Sequence, residues 1–500
     1  MTNRVWFEKP PTADNQWANF EELVRGPYSG HFDGLSPIAG ARAPGRLDVI
    51  GGVADYSGSM VLELPLACAA CVAWQWRSDR ILRIKSIVND GSEDLHAEIP
   101  LEAIVNVDGT IKPIDQVRET LTSNQSMRWA AYVVGCYYVL LAAYTKVSQG
   151  KTDEHLGQLG ANILISSDVP TGAGVSSSAA LEVATMHALC EAAGVQPSDM
   201  TLAAWCQRVE NEVVGAPCGI MDQVTSALGI QDHLLVLQCQ PHTLLGHQQT
   251  PPGWKFVGID SCVKHSVGGG EYTRARVGAF MGLKIIQLES GGKPRGNYLC
   301  RLSVDEFNQY RELIPETLTG SEYSQLYGLL PDVITRVVDT ETYHPRSCAE
   351  HPVLENDRVK RFYAIMEYAT ARYHEELEAR TIDDALPSLD VDVIAAAGQL
   401  MYAAHDSYST RLNLGSPETD LLVNLVKHYG PQYGLYGAKI TGGGAGGTVA
   451  ILAASGNEAA DRALEEISTA YQTQTGKTPR TFNCSSPGAV QFGARQIFRG

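Results

Sequence analysis

The sequence lacks the long apolar runs of a membrane protein. It contains no stretch of about 18 consecutive apolar residues, the length that a membrane-spanning helix requires. Residues 1–11 contain no apolar core of the length found in signal peptides. From these two absences we expect a cytoplasmic protein whose thiols are reduced.

Positive charge is also scarce. The chain carries 39 Lys and Arg residues against 56 Asp and Glu residues, and its formal net charge is −17. A general surface for nucleic acid or for an anionic membrane needs clustered cations. We therefore expect neither nucleic acid nor membrane as a partner, although a local cationic pocket for a phosphate group is compatible with this charge.

The eleven cysteines do not form the paired motifs of a metal site. Cys68 and Cys71 make a single C-x-x-C, and no second pair or His-x-His motif lies near it. The surrounding residues 64–74 are apolar and predict a buried strand. We therefore interpret these cysteines as buried free thiols.

The chain has 500 residues, of which 44% are hydrophobic, and this is enough for more than one domain with its own core. Residues 40–76 predict a strand, a glycine-rich loop and a second strand, and residues 125–147 predict an apolar core helix. Further helices are expected at 357–380, 392–405 and 417–429. This mixture of strands and helices, without a repeated βαβ pattern, predicts an α+β fold.

The first of three glycine-rich loops spans residues 43–58. It packs glycines around Arg46, Asp48 and Asp55 between two apolar strands. Alone, this pattern is also typical of an ordinary polar turn.

The second loop, residues 170–180, has the features of a phosphate site. Gly172 and Gly174 allow the backbone to approach a ligand closely, and Ser176, Ser177 and Ser178 open a predicted helix whose first amides are free donors. The loop is not a Walker motif, because no Gly-Lys-Ser/Thr follows it. The alternative is an ordinary serine N-cap.

The third loop, residues 441–447, contains a G-x-G-x-x-G match from Gly442 to Gly447. A dinucleotide site of this type needs a helix after the loop, whereas here a strand is predicted. We therefore reject a dinucleotide site, and a tight structural turn is the remaining alternative.

Two acidic residues complete the candidate site. Asp222 follows an apolar pair in a mostly uncharged stretch, and a buried carboxylate needs a partner or a function. Glu210, near the end of a helix predicted over 201–214, offers the hard oxygen ligand that Mg²⁺ prefers.

Together and in this order, these motifs resemble those of the GHMP kinases, and further stretches resemble the galactokinase family. The further stretches are Cys206-Gln207 through Glu210-Asn211, residues 218–223, Lys264-His265-Ser266 with Glu271-Tyr272, and His405-x-Ser407. The resemblance covers about residues 38–290 and 400–500. It is weak over 291–400, which is an enlarged region.

The resemblance implies a two-lobed GHMP kinase fold, with the active site in the cleft between an N-terminal and a C-terminal domain. The implied divisions are an N-terminal extension at 1–36, the first domain at 37–250 and the second, with its enlarged region, at 251–500. The implied ligands are ATP, Mg²⁺ and a small sugar.

The same match assigns roles to individual residues. Asp222 matches the catalytic aspartate, with Arg46 beside it, and Ser178 and Glu210 match the Mg²⁺ ligands. The remaining matches are to the ATP phosphates (Gly172, Gly174, Ser176, Ser177), to the loop that closes the cleft (Gly443, Gly444) and to the sugar (Gly52, Val53, Asp55, Gly219, Tyr272).

The sugar is suggested by one departure from the galactokinase pattern. Galactokinases read Gly-Glu-His-Thr-Asp-Tyr, but here Gly52 and Val53 replace the Glu and the His, as in the L-arabinokinase branch. In galactokinases that Glu contacts the hydroxymethyl oxygen, a group that L-arabinopyranose lacks. The expected reaction is therefore ATP-dependent phosphorylation of L-arabinose at its anomeric hydroxyl.

Two alternatives stay open. One is a kinase for a different sugar, either a galactokinase that forms galactose 1-phosphate or a kinase for another pyranose. The other is a non-catalytic sugar sensor, but known sensors of this type have lost residues of the serine loop, whereas Ser176–Ser178 and Asp222 are present here.

Overall fold

The computed structural model describes residues 11–34, 36–88, 93–147, 156–264, 270–294, 296–379 and 390–498. The helices are α1 Ala13–Arg25, α2 Ile114–Thr122, α3 Ala130–Val147, α4 Ser177–Ala193, α5 Asp199–Arg208, α6 Met221–Leu228, α7 Gly270–Glu289, α8 Val304–Tyr310, α9 Gly320–Tyr327, α10 Pro345–Glu378, α11 Val391–Thr410, α12 Pro417–Tyr429, α13 Glu458–Thr475 and α14 Ala489–Phe492. The strands are β1 Ile38–Ile50, β2 Met60–Arg77, β3 Ile81–Ile87, β4 Leu95–Pro100, β5 Gly160–Ser167, β6 His233–Gln238, β7 Thr243–Gln249, β8 Trp254–Asp260, β9 Leu318–Thr319, β10 Thr342–Tyr343, β11 Leu435–Ile440, β12 Thr448–Ala454, β13 Arg480–Phe482 and β14 Arg495–Ile497.

The larger sheet has the strand order β14-β1-β2-β5-β3-β4, and β6 and β7 extend it from β2. β3 and β5 pair in parallel, whereas the other pairs are antiparallel. Helix α4 packs against β1 and β2. It carries small and apolar side chains around most of its circumference, as expected of a helix buried between layers. This packing fixes the start of α4, and with it the serine loop, over the sheet.

The smaller sheet has the order β11-β12-β8-β13 and is antiparallel. Its core joins apolar side chains of β8, β11 and β12 to those of α12 and α13. β9 and β10 form a separate two-stranded ladder inside the enlarged region. Helices and sheets are thus mixed as an α+β fold requires.

The structure corrects several boundaries. The core helix predicted over 125–147 begins at Ala130, and the helix predicted over 392–405 continues to Thr410. The first loop was predicted to begin at residue 43, but β1 continues to Ile50, because Arg46 and Asp48 find buried partners and the strand pairs with β2 over this length. The helix predicted from residue 357 begins at Pro345, since proline is well accommodated in a first helical turn.

The first helix and the last strand of the described residues pack together at the larger sheet. Trp17 and Phe20 of α1 pack in one core with Ile38 and Ile497, and β14 pairs with β1. The predicted divisions at 36 and 250 stay predictions.

Two further expectations concern cysteines and membranes. Cys68 and Cys71 are free and buried in β2, and burial raises the pKa of each thiol to about 12, as expected of inert thiols. None of the helices in the described ranges is long and apolar enough to span a bilayer.

Candidate active site

One cavity is lined by nearly all of the predicted site residues. It lies where the three glycine-rich loops meet the segment around Asp222 and the start of α7. Its lining consists of Arg46, Val53, Asp55, Gly172, Gly174, Ser176, Ser177, Ser178, Glu210, Pro217, Cys218, Gly219, Met221, Asp222, Tyr272, Gly442 and Gly443. Gly52 and Gly444 are the predicted residues that do not line it.

The three glycine-rich loops contact one another at the cavity. Arg46 donates from Nη1 to the carbonyl of Gly174 at 2.8 Å, and Thr448 donates from Oγ1 to the carbonyl of Ala173 at 2.8 Å. A Cβ on Gly442 would lie 2.9 Å from the Gly174 carbonyl oxygen, and its φ is +66°. Glycine is therefore required there for the loops to approach.

Arg46 is the ionic centre of the site. Its Nη2 lies 2.8 Å from Oδ1 of Asp222, and its Nε lies 3.1 Å from Oε2 of Glu63. Burial lowers the pKa of Arg46, but the neighbouring acidic residues, Asp222 first among them, outweigh burial and raise it. The guanidinium is therefore a permanent cation beside Asp222, whose side chain is 23% exposed at the cavity.

Glu63 was missed by the sequence analysis. It is fully buried in β2, and burial raises its pKa well above the usual range, with the charge of Asp48 acting in the same direction. The available signal was a lone Glu inside the apolar run of residues 60–66. A buried carboxylate in such a run requires a charged partner, which here is Arg46.

Asp55, Gly219 and Tyr272 form a further group of residues in the lining of the cavity. A Cβ on Gly219 would lie only 1.5 Å from Oδ2 of Asp55, so the carboxylate rests directly on the Gly219 backbone. Burial, followed by the negative charge of Asp222, raises the pKa of Asp55 to about 6. Tyr272 sits in the first turn of α7, with its ring edge-on to Tyr56 at 6.2 Å.

The serine loop turns into α4 through a left-handed residue. Ser176 has φ +60°, and Ser177 begins the helix. The buried Oγ of Ser176 has no hydrogen-bond partner among the described residues. A buried hydroxyl without a partner, beside the free amides of a helix start, suits an anionic ligand.

Glu210 enters from a π-helical turn, Val209–Val214, which directly continues α5. Such turns often occur at functional sites because they reorient one side chain. Burial and then the charge of Asp222 raise the pKa of Glu210 to about 7, although a hydrogen bond from Ser178 lowers it. Oε2 of Glu210 accepts from Nε2 of Gln223 at 2.8 Å. A cation held by Glu210 and Ser178 would favour the charged carboxylate, so these oxygens fit Mg²⁺.

Gly52 and Gly444, the predicted residues that do not line the cavity, lie at points of close packing. A Cβ on Gly52 would lie 2.0 Å from Oη of Tyr408 and 2.2 Å from Oδ2 of Asp48, so the space for a side chain at position 52 is filled. A Cβ on Gly444 would lie 2.7 Å from the Cβ of Leu414. Direct ligand contacts by Gly52 and Gly444 stay predictions.

Val53 reaches the cavity at a conformational cost. Its φ is +55°, a value that a β-branched residue rarely adopts, and such outliers concentrate at functional sites. The turn before it is held by His351, whose Nε2 donates to the Gly52 carbonyl at 3.1 Å.

A buried network that was not predicted ties the first loop to the third. Lys439 pairs with Oδ2 of Asp48 at 2.8 Å, and the Gly442 amide donates to the same oxygen at 3.1 Å. Tyr408 donates from Oη to the Gly442 carbonyl at 2.8 Å.

Other motif residues lie outside the cavity. Glu271 is exposed and pairs with Arg274, and His405 contacts Asp420 and the amide of Ile440. The predicted residues His265 and Ser266 lie outside the described residues.

Two family models match the chain. The model described as GHMP kinases N terminal domain matches residues 132–230, and the model described as GHMP kinases C terminal matches residues 385–473. A galactokinase of Chloroflexus aggregans is 30% identical over 91% of this chain and 94% of its own length. The chain belongs to the galactokinase family of GHMP kinases.

Two further relatives bear on this family member. The L-arabinokinase of Arabidopsis thaliana is 36% identical over 94% of this chain, which spans about half (48%) of that protein's length. The crystal structure of Lactococcus lactis galactokinase complexed with galactose has the same fold, with a TM-score of 0.67 and 18% identity over 96% of this chain and 99% of that one.

Proposed function

We propose that this GHMP kinase transfers the γ-phosphoryl group of ATP to the anomeric hydroxyl of a sugar and that L-arabinose is the preferred sugar. The observation that carries the proposal is one cavity. It is lined by a serine-rich helix start, by the Arg46–Asp222 pair, and by Asp55 and Tyr272. The 36% identity to an L-arabinokinase over most of the chain supports the choice of sugar.

The phosphates of ATP would bind at the serine loop. Gly172 and Gly174 allow close approach, and the amides at the start of α4 provide donors and the positive end of a helix dipole. Phosphoryl transfer depends mainly on positioning and on stabilisation of charge. Ser178 and Glu210 would hold Mg²⁺, which when bound neutralises charge on the phosphates.

The sugar would be activated by Asp222. A hydroxyl is a weak nucleophile, so a carboxylate within hydrogen-bond reach can accept its proton as the oxygen attacks. The new bond forms between the anomeric oxygen and the γ-phosphorus, the bond to the bridging oxygen of ADP breaks, and the proton passes to Asp222. Arg46, whose Nη2 lies 2.8 Å from Oδ1 of Asp222, would hold that carboxylate in place and stabilise negative charge on the transferring group.

The preference for L-arabinose rests on the wall beside the sugar. Val53 offers no polar partner for a hydroxymethyl group, and Tyr408 fills the space that a longer side chain at position 52 would need. A buried hydroxyl left unpaired costs about 1–3 kcal/mol. Apolar pockets reject an added hydroxyl only weakly, so some activity on D-galactose is expected.

The two alternatives make different predictions. A galactokinase would use D-galactose better, and a sensor would bind both ligands without turnover. ADP release coupled to a spectrophotometric readout, with and without L-arabinose, separates an enzyme from a sensor. We expect sugar-dependent ADP release and a product with phosphate on the anomeric oxygen, which phosphorus NMR identifies. Sugar binding without ADP release would overturn the proposed activity.

A further inference from the structure

A buried ion pair joins the enlarged region at 291–400 to α7, near the part of the cavity lined by Asp55, Gly219 and Tyr272, which is the proposed sugar end. Arg276 of α7 donates from Nε to Oδ2 of Asp332 at 2.9 Å and from Nη2 to Oδ1 at 3.2 Å. Both side chains are only 5% exposed. Bidentate pairs of this kind fix geometry as well as charge.

Arg276 also lies next to the segments that carry the residues assigned to the sugar. It follows Tyr272 by one helical turn on the same helix, and its Nη1 donates to the carbonyl of Cys218 at 3.3 Å. Its guanidinium lies 5.3 Å from the ring centroid of Tyr56, the residue after Asp55. One guanidinium therefore supports each segment that forms the sugar end.

Asp332 is itself held firmly. Its carboxylate accepts from the amide of Ile334 at 3.1 Å and from the amide and hydroxyl of Thr335 at 3.3 and 2.6 Å. Burial favours the neutral acid, but the hydrogen bond and charge of Arg276 outweigh burial and lower the pKa of Asp332. The Arg276–Asp332 pair therefore holds the enlarged region and α7 in a fixed relative geometry.

We propose that Asp332 is a positioning residue for the sugar, acting through Arg276, so that the enlarged region contributes to the sugar site. The proposal rests on the assignment of Asp55 and Tyr272 to sugar binding under the proposed function. A buried guanidinium without its carboxylate is strongly unfavourable and must shift. Such a shift would displace the Cys218 carbonyl and the Tyr56 ring, whereas the serine loop is held separately by Arg46 and Thr448.

The test is a double-mutant cycle of Asp332→Asn and Arg276→Gln with sugar and ATP varied separately. Asp332→Asn should raise the KM for the sugar about tenfold and leave the KM for ATP within about twofold. Because Asp332 acts through Arg276, adding it to Arg276→Gln should change the sugar KM no further. Asp461→Asn, which removes an exposed pair with Lys255 in the smaller sheet, is the matched control.

A purely structural role predicts another pattern. A lowered melting temperature with an unchanged sugar KM in Asp332→Asn, or equal rises in both KM values, would overturn the inference, as would additive effects in the cycle. If Asp332→Asn does not fold, Thr335→Val removes one support of the carboxylate and should raise the sugar KM by a few-fold; no change would also overturn it. Wild-type turnover is measured first, so that failure of the proposed function (no sugar-dependent ADP release) is distinct from failure of this inference.

Discussion

Asp222 is held in place by a cation while its other side faces the cavity. The Asp222→Asn variant keeps the size of the side chain and a hydrogen-bonding partner for Arg46, but it removes the proton acceptor. We expect kcat to fall about 10²–10⁴-fold with the affinity for ATP nearly unchanged. Single-turnover kinetics and equilibrium ATP binding measure the two quantities, and near-normal turnover would remove Asp222 from this role.

Gly219→Ala tests the proposed contact between Asp55 and the sugar. A Cβ at this position would collide with the carboxylate of Asp55 at 1.5 Å, so Gly219→Ala must displace Asp55. The expected result is a rise of about tenfold or more in the KM for the sugar and little change for ATP. Gly30→Ala is the control, because a Cβ there meets no atom within 4 Å. Equal effects of the two variants would contradict the placement of Asp55.

Motifs revealed the residues that act within single loops but not those that act across the fold. Arg46, Asp222 and the serine loop were predicted because each stands in a distinctive local pattern. Tyr408 was not, because its relevance comes from the space beside Gly52, far away in sequence. Glu63 was equally hidden, since only folding brings it to Arg46.

At the scale of elements, the π-helical turn Val209–Val214 carries two glutamates in different environments, so one can serve as a control for the other. Glu210 is buried at the cavity, whereas Glu212 on the same turn pairs with Arg208 and its side chain is 37% exposed. Glu210→Ala and Ser178→Ala should weaken Mg²⁺-dependent activity, with partial rescue by raised Mg²⁺, because each removes an oxygen ligand. Glu212→Ala is the control, and identical Mg²⁺ activation curves for all variants would refute the ligand assignment.

His351 of helix α10 hydrogen-bonds to the first loop, and its contribution to the stability of the fold depends on pH. His351 is fully buried between the Gly52 carbonyl and the hydroxyl of Ser407, and burial lowers its pKa to about 3. The unfolded chain binds a proton on this histidine below about pH 6.5, whereas the folded chain does not until about pH 3. The stability contribution of the neutral imidazole is therefore complete above about pH 6.5 and is lost as the pH falls through this window.

His351→Gln should flatten that part of the pH dependence. The wild-type free energy of unfolding should decline between pH 6.5 and pH 4 more steeply than that of the variant, by a difference on the order of a few kcal/mol. Urea unfolding at several pH values provides the measurement. Parallel pH profiles would show that His351 is accessible to protons in the folded protein.

The sequence predicted some helices and strands correctly and missed features of others. The strand–loop–strand pattern of residues 40–76 and the helix after the serine loop are strong local signals, and both occur in the structure. The continuation of β1 through Arg46 and Asp48 was missed because charged residues in a strand become acceptable only when buried partners exist. The π-helical turn was predicted as ordinary helix, since periodicity does not separate the two.

For the whole molecule, the family and the two-lobed fold followed from the order of the motifs, and the comparisons confirm both. The enlarged region gave little signal in the sequence. In the structure, Asp332 of this region pairs with Arg276 of α7, which also contacts Cys218 and Tyr56 near the cavity. Its contribution was hidden because the partner of Asp332 lies on a helix that precedes this region in the chain.

The choice of sugar is the central claim, and the ratio of kcat/KM for L-arabinose to kcat/KM for D-galactose tests it most directly. Under the proposed function, Val53 would leave the extra hydroxymethyl group of galactose without a polar partner, and the space beside Gly52 is filled by Tyr408 and Asp48. We predict a ratio of about ten to a hundred in favour of L-arabinose. A ratio that favours D-galactose would contradict the account and identify the protein as a galactokinase.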